Sequence, residues 1–555
     1  MWRFERLWKG GAPIVIIAAL YTVHFELEGL SNFCLTVIYG YPESALALPP
    51  LSIPRSGGYA WFAVGLGGSW LYAYALFSVL AVRRGLISAV LPLCFAVTAL
   101  GAYYVNRTGV ALSPSLMEAV FESNTVEAGE AVSWRLLLSI VFAVALAATL
   151  LAVFWHQLDS KRVEPGWTRA QRWGRGLFGA AVATYALWAP VEQPLAVYPF
   201  NLLRAAGTYV HERIAMQSLL AQRVDVSSAG IGWQDKPAQD LLVVVVLGES
   251  ARADHFSING YARSTTPKLA RIPNLVSFSD AGACATLTRT AVPCLMTRAT
   301  RATFDITLKE KSVISAFNRL GFSTAWLSIN GVYGKYDNAI SAVAKEAQLR
   351  EFRGSIVPVG RLLYDGELLP AFDRFLATQH GNRFVVVHTM GSHWSYDRRY
   401  PKRYRRFVPT CDNVAIETCD RRALVNSYDN SILYADSVLA RIIARLKPLN
   451  AVLLYVADHG QLLGEDGRYM HGQDRPEVLH VPMLWWASER FLLEHHASFA
   501  RLAARRSNAV SHDFVFHSLL DCIGVSSPII DPSLSLCSAD EIAPRLELAT
   551  SPPAD

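Results

Sequence analysis

The chain has 555 residues, 52% hydrophobic and 18% charged, with a mean hydropathy of +0.22 and a net charge of +6. Soluble globular proteins carry about a quarter charged residues, so this composition argues against a wholly water-borne chain. The modest positive charge suits an anionic lipid surface and argues against dedicated nucleic-acid binding.

The excess apolar residues lie in the first third. Five stretches, 10–27, 59–80, 86–105, 136–154 and 176–195, approach the roughly 20 residues that a helix needs to cross a bilayer. The first is short and is followed by His24, Glu26 and Glu28; no small-residue cleavage site marks it as a signal peptide. Arg3, Arg6 and Lys9 precede the first stretch, Arg83 and Arg84 separate the second and third, and five cations between 161 and 175 separate the last two. The alternate loops carry only Arg55 and Arg107. The positive-inside rule therefore places the N-terminus in the cytoplasm and, after five crossings, the C-terminal part outside.

An outside location changes the meaning of the cysteines. Cys284, Cys294, Cys411, Cys419, Cys522 and Cys537 lie beyond the apolar third, and an even number in an oxidising compartment reads as disulfides. Local pairing gives Cys284–Cys294 and Cys411–Cys419, each gaining about 2–3 kcal/mol in the chain-entropy model; Cys522–Cys537 is a third pair that spacing leaves open. No CxxC spacing supports a zinc knuckle.

Residues 199–238 read as a linker, with 201–220 as a helix on the membrane surface. The character then changes to LLVVVVLGES, a continuous apolar run that suits a strand covered on both faces. AVLLYVADHG, RFVVVHTMGSH and FSTAWLSIN are three further candidate strands, separated by helix-like segments such as VISAFNRL, LPAFDRFLATQ and ILYADSVLARIIARL. The expected architecture is an α-helical membrane domain of five spans over 1–198, the linker, a doubly wound α/β domain over 239–545, and a disordered tail over 546–555.

In open α/β sheets, ligands gather at the carboxyl ends of strands. The apolar runs end in Glu249, in Asp458 with His459, and close to His393. Taken singly, each is a helix cap or a turn. Three coincident strand ends carrying carboxylate and imidazole suit zinc, with manganese second. The segment CATLTRTAVPC sets Thr286, Thr288 and Thr290 between two cysteines, and a threonine hydroxyl becomes a nucleophile when a base or metal stabilises its alkoxide.

GESARADHFSINGYARSTTP, the cysteine loop, MGSH, CDRRALVNSYDNSIL, ADHGQLLGEDGRYMHG and VPMLWW together resemble the membrane-bound phosphoethanolamine transferases. These include lipid A and mobile colistin-resistance enzymes of the alkaline phosphatase and sulfatase superfamily, and the resemblance covers essentially the whole chain. It implies Thr288 as nucleophile and Glu249, Thr288, Asp458 and His459 as ligands of one zinc. It puts His393 and His471 at a second zinc or at the substrate phosphate, and Asn330 and Lys335 near the phosphoryl group. Thr286 and Thr290 keep a structural reading as loop residues bonded to backbone.

The implied reaction moves phosphoethanolamine from phosphatidylethanolamine to lipid A in the bacterial inner membrane, weakening attack by polymyxin-like cationic peptides. Core-oligosaccharide sugars and periplasmic glucans are rival acceptors. A metal-binding but inactive sensor or transporter is the reading from another class. A monomer is expected.

Two segments depart from the family or stay outside its chemistry. In SPSLMEAVFESNTVEAGEAVSW, Ala119 and Ser123 stand where the family often has asparagine and threonine, leaving Ser123 and Glu127 as candidate donor contacts. YDRRYPKRYRRF interleaves aromatic and basic residues in a way that can bind nucleic acid, but an exported location favours anionic lipid or sugar phosphates.

Overall fold

The computed structural model describes residues 13–23, 25, 58–81, 84–108, 117, 132–155, 173, 175–182, 200–234, 239–306, 308–330, 339–355, 361–413 and 416–544. The chain divides into two compact units. One comprises Met1–Phe121, Ala131–His211 and the short segment Gly464–Arg468; the other comprises Glu122–Glu130, Glu212–Leu463 and Tyr469–Asp555.

The first unit is helical: α1 (Gly58–Leu80), α2 (Arg84–Thr108) and α3 (Trp134–Phe154) cover the second, third and fourth apolar stretches. Ser133 caps α3 by accepting the Leu136 N–H at 3.2 Å, which ends the preceding loop and starts the span. The small residues Ala143 and Ala147 are buried, while Leu137, Leu138, Val141, Phe142 and Val153 of the same helix are exposed. Small residues inward and large apolar ones outward is the pattern of a helix that faces lipid. Tyr21 centres the core, edge-on to Phe25, Phe77 and Phe95, with its hydroxyl on Thr98 Oγ1.

Among the described residues two helices, Gly85–Tyr103 and Trp134–Phe154, are long and apolar enough to cross a membrane; Pro13–Val23 and Ser69–Leu80 are shorter apolar helices. Of the fifth apolar stretch, helix is described only through residue 182. Helix α4 (Phe200–Ala221) covers the expected interfacial segment.

The second unit is built on an eight-stranded sheet: β1 (Leu241–Gly248), β2 (Leu275–Gly282), β3 (Ser323–Ser328), β4 (Leu349–Phe352), β5 (Arg383–His388), β6 (Asn450–Ala457), β7 (His480–Ala487) and β8 (Val510–Ser511). Their spatial order is β8-β2-β7-β6-β1-β5-β3-β4. Alternate residues of β1 enter separate cores. Leu241, Val243, Val245 and Leu247 pack on one face, and Leu242, Val244 and Val246 on the other. That two-sided burial is why the strand reads as an unbroken apolar run.

The four strands legible in the sequence, β6, β1, β5 and β3, are the contiguous parallel centre of the sheet. The sheet is not parallel throughout: β7 runs antiparallel to both β6 and β2. The chain between β6 and β7 makes no helical crossover to the far edge, so the next strand has to return from the edge it left. Strands β1, β2, β3, β5 and β6 therefore all end at one edge, where β7 begins.

Candidate active site

Strands β1 and β6 deliver their polar residues immediately after their last pair. Gly248 pairs with Ala457, so Glu249 and Asp458 emerge side by side. Backbone bonds extend the register past the strands: Asp458 N–H donates to Gly248 O at 3.0 Å, and Ser392 N–H to Glu249 O at 2.8 Å. Ser250 adopts a left-handed backbone (φ 56°), which turns its N–H onto Asp458 Oδ1 at 2.9 Å. Gly391 is confined by the same crossing: a Cβ there would stand 2.6 Å from the Glu249 carbonyl oxygen.

Strand β2 brings in the stapled loop, and Cys284–Cys294 is bonded, as are Cys411–Cys419 and Cys522–Cys537. Thr288 is the first residue of α5 (Thr288–Met296). Its hydroxyl oxygen lies 3.1 Å from Glu249 Oε2, 3.3 Å from Glu249 Oε1 and 3.1 Å from His459 Nε2. Thr286 contributes its carbonyl, which accepts the Gly472 N–H at 3.0 Å beside His471.

Glu249, Asp458 and His459 are buried, with ligand atoms within 4.8 Å of one another. His459 Nδ1–H donates to Gly460 O at 2.9 Å, which leaves Nε2 as a lone pair. That lone pair faces Asp458 Oδ2 at 3.3 Å and Glu249 Oε1 at 3.6 Å. Asp458 Oδ2 is itself buried without a hydrogen-bond donor. Burial, then the charge of Asp458, pushes the Glu249 carboxyl well above its usual range, and burial holds His459 down at about 4. Asp458 Oδ2, Glu249 Oε1 and His459 Nε2 converge; Ser250 Oγ–H donates to Glu249 Oε1 at 2.7 Å, but no donor reaches Asp458 Oδ2. A divalent cation fits this arrangement: two carboxylates, one imidazole and a hydroxyl are a zinc donor set.

The two further histidines flank the cluster. The His471 ring centroid lies 4.2 Å from that of His459 and 6.4 Å from that of His393. His471 Nδ1 pairs with Gln461 Oε1 at 3.2 Å, and His393 Nδ1 is buried without a partner. Burial lowers both, His471 to about 3. Asn330 is buried just past β3 at the same edge, where its backbone N–H meets Ser328 Oγ at 3.1 Å. Lys335, Ser123 and Glu127 lie outside the described residues.

The basic segment after His393 divides. Arg399 turns inward onto the Trp394 carbonyl and Arg405 pairs with Asp397, whereas Lys402, Arg403 and Arg406 are exposed.

Asp365 is a supporting residue that sequence reasoning missed. It is buried and accepts the N–H groups of Met390 at 2.7 Å and Gly391 at 3.1 Å, fixing the turn that carries His393. No local pattern marks it, because its partners are about 25 residues away.

Burial pushes the Asp365 carboxyl from 3.8 up to about 6, against the lowering pull of those two bonds and of Arg399. The folded value is the higher one, so between these limits the folded chain holds a proton that the unfolded chain has released. Stability therefore falls as pH rises through that window, by roughly 3 kcal/mol in all. Asp365→Asn does not titrate. Relative to the variant, the wild-type Tm is expected to drop between pH 4 and pH 7 in differential scanning fluorimetry; a gap that ignores pH would refute this account.

Residues 242–525, half of the chain, match the sulfatase family model, and residues 70–213 match the model described as phosphoethanolamine transferase EptA/EptB. Phosphoethanolamine transferase EptA of Escherichia coli is 27% identical over 78% of this chain and 81% of its own length. Kdo(2)-lipid A phosphoethanolamine 7''-transferase of Salmonella typhimurium is 32% identical over 60% of each chain. The solved lipooligosaccharide phosphoethanolamine transferase A of Neisseria meningitidis shares the fold with a TM-score of 0.73 at 23% identity, covering 96% of this chain and 99% of that one. A membrane-type N-terminal region joined to a sulfatase domain, with a threonine at the carboxylate edge of the sheet, places the chain in one group: it belongs to the EptA-type phosphoethanolamine transferase family with a C-terminal sulfatase domain.

Proposed function

We propose that the protein transfers phosphoethanolamine from phosphatidylethanolamine to lipid A through a covalent ester on Thr288, using zinc. One observation carries the reading: a single hydroxyl stands 3.1 Å from both a carboxylate oxygen and an imidazole lone pair, in a buried site with negative charge to spare. Glu249, Thr288, Asp458 and His459 would hold one ion. When bound, zinc supplies charge that stabilises the threonine alkoxide and the equatorial phosphoryl oxygens.

The chain's own groups do the rest. Glu249 Oε2 orients the Thr288 hydroxyl and receives its proton. The oxygen attacks phosphorus, the bond to diacylglycerol breaks, and the proton held by Glu249 passes to the departing diacylglycerol oxygen. Thr288 opens α5, so the free N–H groups of that first turn offset charge on the phosphoryl group. His471, with Nδ1 committed to Gln461, keeps Nε2 as a lone pair for a second ion or for the proton of the incoming acceptor. His393 Nδ1, unpartnered within the protein, is available to a phosphoryl oxygen.

The acceptor is the finer part of the reading. The Salmonella relative is named for Kdo(2)-lipid A, which suits an anionic glycolipid acceptor without separating lipid A from its core sugars, and the exposed Lys402, Arg403 and Arg406 in the segment after His393 suit the phosphates of lipid A. Asn330, Lys335, Ser123 and Glu127 are proposed substrate contacts. The chain would act as a monomer in the inner membrane: five spans within 1–198, a linker over 199–238, a periplasmic catalytic domain over 239–545 and a tail over 546–555.

Mass spectrometry of lipopolysaccharide from cells with and without the gene tests this. A phosphoethanolamine increment on lipid A, lost under zinc chelation, is expected. An increment confined to core sugars would change the acceptor, and no increment anywhere would overturn the proposal.

A further inference from the structure

A disulfide closes the Thr288 loop but does not by itself hold it against the strand that carries the metal ligands. Thr288 comes from the loop after β2, Asp458 and His459 from the end of β6, and β7 lies between those two strands. Something must fix the loop to β6 across that gap.

His512 spans it. The residue follows the short edge strand β8, whose Ser511 pairs with Gly282 at the end of β2. Its imidazole is 1% exposed. Nδ1 lies 3.1 Å from the backbone nitrogen of Cys284, the first residue of the stapled loop. Nε2 lies 2.9 Å from the carbonyl oxygen of Ala457, the residue before Asp458. A backbone N–H can only donate and a carbonyl can only accept, so the ring is the neutral Nε2–H tautomer. The neighbouring residue tightens the same corner. Asp513 Oδ1 accepts the Arg301 N–H at 2.9 Å, and the Arg301 guanidinium donates to Ala283 O at 3.3 Å.

Resting on the transferase reading, we propose that His512 is a positioning residue for the nucleophile: one rigid ring, accepting from Cys284 and donating to Ala457, sets the distance between Thr288 and the metal-ligating strand. It touches neither substrate nor metal in this role. A rigid ring with an acceptor on one side and a donor on the other suits the gap. Asparagine can replace the acceptor but does not reach as a donor, and alanine leaves both backbone groups buried without partners.

The experiment uses the full chain in phospholipid nanodiscs loaded with zinc, comparing wild type, His512→Ala and His512→Asn. Single-turnover formation of the phosphoethanolamine adduct on Thr288 is followed by intact mass with phosphatidylethanolamine as donor. Amide exchange of the 284–294 loop and zinc retention against a chelator are measured beside it. For His512→Ala, adduct formation is expected to slow about a hundredfold at saturating donor, the order lost when a reacting group is displaced by about an ångström. The donor KM should stay within about twofold, zinc retention should be unchanged, and exchange in the loop should rise. His512→Asn should recover about tenfold of the rate, since the Cys284 bond survives.

A wild-type adduct rate in His512→Ala overturns the proposal, as does a slow rate restored by excess zinc, which would assign the residue to the metal. If His512→Ala does not fold, His512→Asn decides by the same two criteria. Failure of the wild type to form any adduct would count against the transferase reading alone. Loop exchange then tests His512 by itself, and exchange equal to wild type refutes the positioning role.

Discussion

Thr288→Ala is expected to abolish both the covalent adduct and transfer, by about 10⁵-fold or more, the order seen when an activated nucleophile is removed. The expectation follows from geometry, because Thr288 Oγ1 is the hydroxyl that the structure places against both Glu249 and His459. Neither neighbouring threonine is a ready substitute: Thr286 is held through its carbonyl by Gly472, and Thr290 lies within the first turn of α5. The half-exposed side chain is small, so its loss should leave Tm within about a degree or two. Thr288→Ser keeps the hydroxyl and should retain adduct formation at a reduced rate, having lost the methyl group that restricts its rotamer. Intact-mass analysis after incubation with phosphatidylethanolamine checks all three proteins. An adduct persisting on Thr288→Ala would move the nucleophile elsewhere and take the mechanism with it.

Glu249→Gln should change stability in opposite directions with and without metal. Glu249 and Asp458 are adjacent buried carboxylates: burial first, and then the charge of Asp458, raises the Glu249 carboxyl. In the metal-free protein, replacing one charge by an amide of the same shape relieves their repulsion, so Tm should rise. With zinc present the wild type gains binding free energy that the variant largely forgoes, so the order of the two Tm values should reverse. Loss of a charged ligand should lower zinc affinity by more than the 10–100-fold typical of a residue that only supports a ligand. Fluorimetry in chelator and in a zinc series, with metal content by elemental analysis, measures both halves. A variant less stable than wild type in chelator would mean that the two carboxylates do not repel each other in the metal-free protein.

The sequence by itself determined the membrane-type first third, the α/β second part, the oxidising compartment read from paired cysteines, and the four central strands. Those features are written in contiguous residues. LLVVVVLG is apolar throughout because β1 is covered on both faces, and the periods that mark helices 369–378 and 421–446 need no distant partner to be seen. Glu249, Asp458 and His459 were legible for the same reason, since they follow directly on apolar runs that end strands, and His393 because it stands a few residues past another. Strand β2 escaped because LVSFSDAG alternates weakly and is partly exposed, although it leads into the loop that carries Thr288. The reversal of β7 escaped because strand direction is set by whether the intervening chain crosses the sheet, which no local composition records. Only the tertiary structure joined Asp365 to the turn before His393, Tyr428 to the Ser250 backbone, and His512 to two segments 228 and 55 residues away. Such bonds satisfy backbone groups rather than side-chain patterns, and any buried polar side chain of the right reach could have met them. Folding, and not the order of residues along the chain, selects which one does.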